Sequence, residues 1–520
     1  MLRRWREQSS TGYFVMEAMD EEDELETLTW DGGEEGEPVV GEGLTEGQRN
    51  ALKKLLQQHQ DVLTKAPGCT NLTQHRIATG DASPIRLPPY RLPHAYRDTV
   101  QQELEEMMAQ GVIEQTTSEW AAPIVVVRKK DGTIRLCVDY RRLNAVSTID
   151  AYPMPRIDDL IDLIGQAQFI STLDLTKGYW QVPVAEEDKV KTAFTTPFGL
   201  FQFRRMPFGL QGAPATFQRM MDRLLDGLRG FTGAYLDDLV VFSQSWEEHL
   251  HHLDSVLTRL REAGLTAKSR KCQFGMAQCV YLGHVVGGGR VRVEGSKVEA
   301  IRGMPIPRTK KDVRAFLGLT GYYRKFIPNY ASTAAPLTDL TRKSEPNIVE
   351  WTGECAIAFQ KLKDLLCSAP VLRMPDFAKT FILQTDASDR GVGAVLSQRY
   401  EGSDQPVAFF SKKLLPREER YSAVEKECLA IKLAVQAFRV YLLGRPFIIE
   451  TDHRALEWLD RVKENNGRLT RWSLSLQPYQ FIVNYRPGAK NGNADSLSRL
   501  PKNDDKVAGE GGRSVMEQPK

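Results

Sequence analysis

The feature that most constrains this chain is residues 231–243, which read FTGAYLDDLVVFS. Short apolar runs flank two adjacent carboxylates, Asp237 and Asp238, and this pattern predicts a tight β-hairpin with both acids at its tip. Neighbouring aspartates repel each other and are costly to desolvate unless a cation lies between them. Oxygen ligands of this kind suit Mg²⁺ or Mn²⁺. The alternative is a solvated Asp-Asp turn, so the decision rests on what accompanies the pair.

The length of 520 residues exceeds what one hydrophobic core can hold and predicts about three or four domains. No apolar run is long enough to span a bilayer, and the start MLRRWREQSS lacks the apolar segment of a secretory signal, so no membrane partner is expected. The seven cysteines have no short paired spacing and fit a reducing compartment. We therefore expect an intracellular protein, in the cytoplasm, the nucleus or both.

The net charge of +2 hides two unlike parts. Residues 17–46 contain 13 acids and no lysine or arginine, which leaves 54 acids against 69 lysines and arginines and a net charge of +15 for the rest. A basic body of this kind is typical of a protein that holds a polyanion. The acidic, glycine-rich leader is predicted to be disordered, and a solubilising tail is its simplest interpretation.

Local patterns outline the first half of the chain. They predict a helix over residues 45–62, a helix that Asp98 caps and Gly111 ends, and a hairpin over residues 123–140 that turns at Asp131-Gly132. A strand over residues 169–175 carries Asp174 at its end.

Further patterns follow up to about residue 370. A glycine-bearing loop leads at Pro214 into an apolar-faced helix, and residues 246–265 form an amphipathic helix. The histidines of this second helix lack further zinc ligands at useful spacing, so we expect His249, His251 and His252 at the surface. Residues 291–370 are predicted to be mainly helical and are basic.

A new α/β pattern begins near residue 377. Strands are predicted over residues 381–385, 392–397, 406–410, 446–450 and 479–485, and a long helix over residues 418–443. Four acids fall at strand ends or on helices in this pattern: Asp386, Glu427, Asp452 and Asp495.

These placements predict two clusters of carboxylates. A strand end and a hairpin tip can bring Asp174 to Asp237 and Asp238, where two Mg²⁺ ions about 4 Å apart suit phosphoryl transfer to a 3′-hydroxyl. The four acids of the C-terminal pattern would repel one another without metal, and with two metals they suit hydrolysis of a phosphodiester by activated water. Spacing alone supports the second cluster weakly, because single acids after strands are common.

The chain strongly resembles the reverse transcriptase–RNase H segment of polyproteins from gypsy-type (metavirus) long-terminal-repeat retrotransposons, over roughly residues 60–500. The resemblance rests on these motifs: LCVDYRRLN (136–144), STLDLTKGYWQ (171–181), TPFGLFQFRRMPFGLQGAPATFQ (196–218), YLDD (235–238), FLGLTGYYRKFI (316–327), LQTDASDRGVGAVLSQ (383–398), EKECLAI (425–431), ETDHRAL (450–456) and NADSLSRL (493–500).

The resemblance implies an α+β multidomain fold, a right-hand polymerase of fingers, palm and thumb followed by an RNase H-like α/β domain. It implies an RNA-directed DNA polymerase and hybrid-specific endoribonuclease with two Mg²⁺ or Mn²⁺ ions per active site. The implied partners are an RNA template, a DNA or RNA primer, RNA:DNA hybrid and dNTPs. The expected divisions are a disordered leader (1–46), an N-terminal extension (47–111), fingers and palm (112–290), thumb and connection (291–372), the RNase H-like domain (373–500) and a disordered tail (501–520).

The resemblance also assigns roles to individual residues. Tyr179 looks like the steric gate that packs where a ribose 2′-hydroxyl would lie. Lys271 matches a residue that protonates pyrophosphate in related polymerases. The phosphate-holding finger residues match Arg135 and one of two lysines, Lys129 or Lys130. The nucleotide pocket matches Phe208, Gly209, Gln211 and Tyr235. The metal ligands match Asp174, Asp237, Asp238, Asp386, Glu427, Asp452 and Asp495.

The chain departs from the pattern in three respects. Residues 485–492 (YRPGAKNG) lack the histidine that some relatives place before the last acid, which puts a proton shuttle there in doubt. No Asp-Ser/Thr-Gly protease signature precedes the polymerase, and we expect too little chain after Asp495 for an integrase. Two alternatives remain: a catalytically silent, retroelement-derived nucleic-acid-binding protein, and a DNA-templated host polymerase. An active element would place the protein in a virus-like particle.

Overall fold

The computed structural model of the protein describes residues 37–128, 134–389, 391–452 and 467–485. Its strands form four sheets, and helices pack on and between them. No helix within these ranges is long and apolar enough to cross a bilayer.

The central sheet has the strand order β1-β10-β5-β9-β8, and all its pairs are antiparallel except β1 with β10. Some of its apolar side chains form a core with two helices that follow the predicted patterns, α5 and α6, whereas Ile170, Val240 and Phe242 join a second core. The bounds are β1 Val39–Val40, β5 Phe169–Asp174, β8 Thr232–Tyr235, β9 Asp238–Ser243, β10 Gln273–Met276, α5 Ala213–Leu224 and α6 Trp246–Glu262.

The N-terminal sheet has the strand order β2-β7-β6-β3-β4 and shares the core of the central sheet. The predicted hairpin is its β3–β4 pair. The bounds of its strands and of the first four helices of the chain are β2 Ile113–Gln115, β3 Ala122–Arg128, β4 Ile134–Val138, β6 Phe194–Thr196, β7 Gly199–Phe203, α1 Glu46–Gln58, α2 Arg97–Ala109, α3 Arg141–Val146 and α4 Ile157–Ile164.

A small sheet, β11-β12-β13-β14, and five helices form a second core. The helices confirm the helical prediction for residues 291–370, whereas the sequence patterns did not predict the short strands β11–β13. The bounds are β11 Cys279–Tyr281, β12 His284–Gly287, β13 Arg290–Val293, β14 Leu372–Arg373, α7 Gly295–Gly303, α8 Lys310–Tyr322, α9 Tyr330–Thr333, α10 Ala335–Asp339 and α11 Gly353–Cys367.

The C-terminal sheet has the strand order β17-β16-β15-β18-β19 and carries the third core, with α12 packed against β15 and β16. Strands β15, β18 and β19 are parallel, and β16 and β17 are antiparallel to their neighbours. The bounds are β15 Phe381–Ala387, β16 Gly391–Tyr400, β17 Ser403–Lys413, β18 Pro446–Thr451, β19 Gln480–Tyr485, α12 Ala423–Ala437, α13 Arg439–Leu442 and α14 Gly467–Leu476.

Three predicted element boundaries were wrong. The disorder predicted for residues 1–46 is wrong at Val39 and Val40, which pair in parallel with β10 at the edge of the central sheet. Residues 1–36 and the predicted tail, 501–520, lie outside the described residues. Helix α2 begins after Tyr96, so Asp98 lies in its first turn and is not its cap. The long helix predicted from residue 418 begins only at Ala423, where Ser422 forms a capping box with its first turn.

The surface prediction for His249 was also wrong, because its side chain is fully buried. Its ring nitrogens lie 2.8 Å from the Ser171 hydroxyl and 2.9 Å from the Ser243 hydroxyl. Burial, reinforced by the charge of His252, lowers the pKa of His249 to about 4. The histidine is therefore neutral at pH 7 and links β5, β9 and α6 through hydrogen bonds.

Candidate active sites

The three acids of the first predicted cluster converge at one end of the central sheet. Asp174 is the last residue of β5 and pairs in register with Asp238, the first residue of β9. Leu236 and Asp237 form the two-residue turn between β8 and β9. The N–H of Leu175 donates to the Asp237 carbonyl at 3.3 Å and ties this turn to the end of β5. The backbone therefore places the three acids at the same end of the sheet, although their carboxylate oxygens do not all lie within 4.8 Å of one another.

The turn that carries Asp237 is held from behind by Gln218 of α5. Leu236 adopts a left-handed conformation with φ of 55°, which costs a residue with a Cβ about 1 kcal/mol or more. The buried Gln218 side chain accepts a hydrogen bond from the Leu236 N–H at 2.9 Å and donates one to the Ala234 carbonyl at 3.1 Å. These two bonds satisfy the backbone at the turn and hold its strained conformation.

Tyr179 lies at the edge of the same site. It follows Gly178, where an added Cβ would come within 3.0 Å of the Asp237 Cβ, so only glycine lets this segment pass so close to the acid. The half-buried ring of Tyr179 packs against Phe208 and Phe217, with ring centroids 5.1 and 5.5 Å away. Two aromatic contacts therefore fix the ring next to the Gly178 segment that approaches Asp237.

The predicted nucleotide-pocket loop is held by Asn144. The Asn144 side chain donates to the Gly209 carbonyl at 2.9 Å and accepts from the Gln211 N–H at 3.0 Å. Gly209 has φ of 87°, which only glycine adopts without strain. Phe208 then turns inward against Tyr179, and Gln211 stays exposed. The loop is rigid at its base and presents a polar side chain to solvent.

Lys271 contacts the first cluster directly. Its Nζ lies 3.1 Å from the Asp174 Oδ2, and the neighbouring Lys268 N–H donates to the Asp174 carbonyl at 2.8 Å. The Lys271 and Asp174 side chains are partly exposed, 37% and 26% respectively, so the pair faces the solvent side of the site. A cationic side chain is therefore paired with Asp174 on the exposed side of the site.

For four predicted site residues the structure describes the backbone alone or nothing. Arg135 lies on β4 opposite Val127, which puts its backbone on the predicted finger hairpin. Lys129, Lys130 and Asp495 lie outside the described residues. Their assigned roles remain predictions.

The second cluster assembles at the ends of two parallel strands. Gln384 of β15 pairs with Glu450 of β18, so Asp386 and Asp452 follow at corresponding positions. Glu427, on α12, contributes the third carboxylate of the cluster. One carboxylate oxygen from each acid lies within 4.8 Å of the others, and this is the one acidic group of such geometry among the described residues.

Glu427 shows that the second cluster is electrostatically unfavourable without a cation. Its side chain is 6% exposed, and while Oε1 accepts from the Ala387 N–H at 3.0 Å, Oε2 is buried with no hydrogen-bond partner in the described part of the chain. Burial, together with the charges of Asp386 and Asp452, raises the pKa of Glu427 to about 9. A divalent cation would supply the missing partner and offset the repulsion, so the residues present fit a metal site.

Two family matches coincide with these two sites. Residues 127–286 match the family described as reverse transcriptase (RNA-dependent DNA polymerase), and residues 376–479 match the RNase H-like domain found in reverse transcriptase. The chain is 43% identical over 437 residues to the retrovirus-related Pol polyprotein from transposon 297 of Drosophila melanogaster, across 83% of this chain and 41% of that protein. The chain contains a reverse transcriptase domain and an RNase H-like domain, and it is similar to the matching segment of gypsy-type retrotransposon Pol polyproteins.

Other relatives agree with this assignment. The Pol polyprotein from transposon gypsy of Drosophila melanogaster is 36% identical across 81% of this chain and 42% of that protein. The transposon Tf2-3 polyprotein of Schizosaccharomyces pombe is 36% identical across 80% of this chain and 31% of that protein. The chain thus spans about two fifths or less of these polyproteins.

Solved structures show the same fold. The foamy viral protease-reverse transcriptase dRH in complex with double-stranded DNA superposes with a TM-score of 0.76 at 24% identity, over 85% of this chain and 79% of that chain. The foamy viral protease-reverse transcriptase in complex with RNA/DNA hybrid superposes with a TM-score of 0.70 at 23% identity, over 91% of this chain and 64% of that chain. The predicted α+β fold, with polymerase and RNase H-like domains, is confirmed. The central sheet is the palm, and the C-terminal sheet belongs to the RNase H-like domain.

A Glu427→Gln substitution tests the electrostatics of the RNase H site without an activity assay. Because the folded-state pKa of Glu427 is raised from its ordinary 4.5 to about 9, its stabilising contribution is complete below about pH 4.5 and is lost as the pH rises to about 9. In EDTA, the melting temperature of the wild type should fall across this window by several °C more than that of Glu427→Gln, measured by calorimetry.

Added Mg²⁺ should raise the wild-type melting temperature more at about pH 8.5 than at about pH 6, because metal binding requires the ionised carboxylates. Glu419→Gln, at an exposed position outside the site, is the matched control and should follow the wild type. Parallel melting curves for the wild type and Glu427→Gln across this pH range would contradict the assignment.

Proposed function

We propose that the protein is an RNA-directed DNA polymerase that also cleaves the RNA strand of RNA:DNA hybrids. One observation carries this proposal: a single chain places two separate carboxylate sites at strand ends of two different sheets. The first is the cross-strand pair Asp174 and Asp238 with Asp237 in the adjoining turn. The second is Asp386, Glu427 and Asp452. Separate sites allow synthesis and degradation to proceed on one nucleic acid.

Both sites are proposed to hold Mg²⁺ or Mn²⁺, two ions each. Asp174, Asp237 and Asp238 would hold them in the palm, and Asp386, Glu427 and Asp452 in the RNase H-like domain, where Asp495 is the fourth predicted ligand. When bound, such ions lower the pKa of an attacking hydroxyl or water and neutralise the leaving oxygen. Since all these ligands are carboxylate oxygens, Zn²⁺ is not expected to replace Mg²⁺ or Mn²⁺.

The chain's own residues supply positioning and proton transfer. The in-register pairing of Asp174 with Asp238 and the Gln218 bonds to the turn fix the acids before substrate arrives, which reduces the reorganisation that the reaction requires. The Lys271 Nζ, 3.1 Å from Asp174, carries protons on the exposed side of the site and is proposed to donate one to the departing pyrophosphate.

The proposed substrates are an RNA template, a DNA or RNA primer, RNA:DNA hybrid and dNTPs. A basic body with a net charge of +15 outside the acidic leader supports a polyanionic ligand. One structural neighbour, the foamy viral protease-reverse transcriptase, was itself solved in complex with an RNA/DNA hybrid. Hybrids have an A-like geometry that proteins recognise through the backbone and the 2′-hydroxyls, which requires no base-reading motif.

Tyr179→Ala should weaken discrimination against ribonucleotides. Because Phe208 and Phe217 hold the ring beside the Gly178–Asp237 contact, its removal should open space for a 2′-hydroxyl. The ratio of ribonucleotide to deoxynucleotide kcat/KM should rise on the order of tenfold in single-nucleotide extension. Tyr179→Phe keeps the ring and should retain discrimination. An unchanged ratio in an active Tyr179→Ala protein would remove Tyr179 from this role.

Primer extension on RNA and DNA templates of the same sequence tests the proposed polymerase activity. We expect the primer to be extended on the RNA template, and its extension rate is compared with that on the DNA template. Extension on DNA alone would favour a DNA-templated polymerase. Binding of primed template without extension on either would indicate a catalytically silent nucleic-acid-binding protein.

A further inference from the structure

A chain of hydrogen bonds continues behind Gln218, away from the catalytic turn. The Gln218 Nε2 donates to the Asp222 Oδ1 at 3.1 Å, one helical turn further along α5. The Tyr152 hydroxyl donates to the Asp222 Oδ2 at 2.5 Å. Tyr152 lies on the loop before α4, where Arg219 stacks on its ring 4.7 Å from the centroid and pairs with Asp150. The acid is thus held between a helix and a loop, outside the active site.

Asp222 and the Ala234 carbonyl together determine which way the Gln218 amide faces, because both accept a hydrogen bond from Nε2. An amide has one accepting and one donating end of nearly the same shape, and a flip would exchange them. An ionised carboxylate only accepts, so it requires the Nε2 end. The Oε1 end must then face the Leu236 N–H, 2.9 Å away. Because Gln218 is fully buried, no water can replace a lost bond there.

Tyr152 in turn fixes Asp222. Its hydroxyl donates to one carboxylate oxygen and leaves the other for Gln218. This hydrogen bond raises the pKa of Tyr152, so the phenol remains protonated and able to donate at neutral pH. Tyr152, Asp222 and Gln218 thus form a chain of hydrogen bonds, the polar relay, in which every donor faces an acceptor. The relay ends at Leu236, whose backbone is strained.

We infer that Asp222 and Tyr152 are positioning residues for DNA synthesis, which act through Gln218 to hold the Leu236–Asp237 turn in its catalytic conformation. The inference rests on the proposed polymerase function. Neither residue needs to touch substrate: loss of Asp222 removes one of the three hydrogen bonds that hold the Gln218 amide, and loss of the Tyr152 hydroxyl releases Asp222. The partner of the left-handed Leu236 N–H is then held less firmly. The carboxylates of Asp237 and Asp238 would become less well placed in the transition state.

Asp222→Ala should lower kcat for primer extension about tenfold and change the KM for dNTPs less than about twofold, because the defect lies in the placement of the acids. Asp222→Asn should restore most of the rate, since an asparagine can accept from Gln218 with Oδ1 and donate to the Tyr152 oxygen with Nδ2. Tyr152→Phe should lower kcat about threefold. Hybrid cleavage should be unchanged in all three variants. Asp226→Ala, an exposed acid just beyond α5, is the matched control.

Hydrogen–deuterium exchange of a peptide that covers residues 234–238 gives a readout independent of activity. Exchange at Leu236 should be faster in Asp222→Ala than in the wild type and near the wild-type rate in Asp222→Asn and Asp226→Ala. Wild-type exchange in Asp222→Ala would overturn the inference. So would wild-type kcat in Asp222→Ala and Tyr152→Phe while the wild-type enzyme extends primers.

The inference and the proposed function fail differently. The variants could show the expected exchange rates while the wild-type protein extends no primer. That result would support the hydrogen-bonded relay as a structural feature, but it would overturn both its role in catalysis and the proposed polymerase function. If Asp222→Ala lowers hybrid cleavage and the melting temperature as well as synthesis, the Tyr152→Phe variant decides, because it keeps the ring that packs under Arg219 and removes only the hydroxyl. Wild-type kcat in that variant would then overturn the inference.

Discussion

Asp238→Asn should abolish DNA synthesis, with a loss on the order of 10³-fold in kcat, and leave hybrid cleavage within about twofold of the wild type. Asparagine has nearly the same shape as aspartate, so the β5–β9 register opposite Asp174 should survive. The change removes one negative charge from the site that must hold divalent cations and so removes transition-state stabilisation. Extension and cleavage are measured separately on the same preparation.

The exposed Asp226 provides a matched control, and Asp226→Asn should keep both activities. A folded Asp238→Asn protein that still extends primers at the wild-type rate would exclude this carboxylate from catalysis. Loss of both activities with an unchanged melting temperature would contradict the separation into two sites.

Asp386→Asn should have the reciprocal effect. Hybrid cleavage should fall on the order of 10³-fold, while primer extension remains within about twofold of the wild type. The side chain is 4% exposed and shares its site with Glu427 and Asp452, so loss of its charge weakens metal binding directly. Cleavage is followed with a labelled RNA strand in a preformed hybrid.

Asp389→Asn serves as the control for the RNase H site. Asp389 lies three residues further along, its side chain is 98% exposed, and it pairs with Lys426 at 2.7 Å without joining the cluster. This variant should keep both activities. Equal losses of cleavage in Asp386→Asn and Asp389→Asn would show that the effect is not specific to the metal site.

Local sequence patterns predicted much of the fold because they record burial along one element. The continuous apolar run of β9 marks a strand buried on both faces, the period of α5 identifies its buried face, and Pro214 lies in the first turn of α5 as expected. The errors occur where long-range contacts decide. Two valines of the leader join an edge strand more than two hundred residues away in the sequence, at Gln273 and Phe274, and no local pattern reports that pairing. His249 is buried because two serines from different strands satisfy its ring.

The candidate sites divide in the same way. Most of the acids follow strand ends, so the sequence indicated where they lie. Spacing alone supported the second cluster only weakly, because single acids after strands are common and Glu427 comes from a helix, and Asp495 lies outside the described residues. The residues that hold the site were missed, because Asn144 and Gln218 act through bonds to backbone groups that only the tertiary fold brings near. The available signal was that Gln218 lies on the buried face of an apolar helix, where a polar side chain requires a partner.

A reaction with both strands labelled tests the central claim most directly. A DNA primer annealed to an RNA template, with different labels on the two strands, is incubated with the wild-type protein and dNTPs. With Mg²⁺, the account predicts that the DNA strand lengthens and that the RNA strand is cut within the hybrid. Both processes should stop in EDTA and resume when Mg²⁺ is restored. An RNA strand that stays intact while DNA is completed, or either process continuing after exhaustive chelation, would contradict the account.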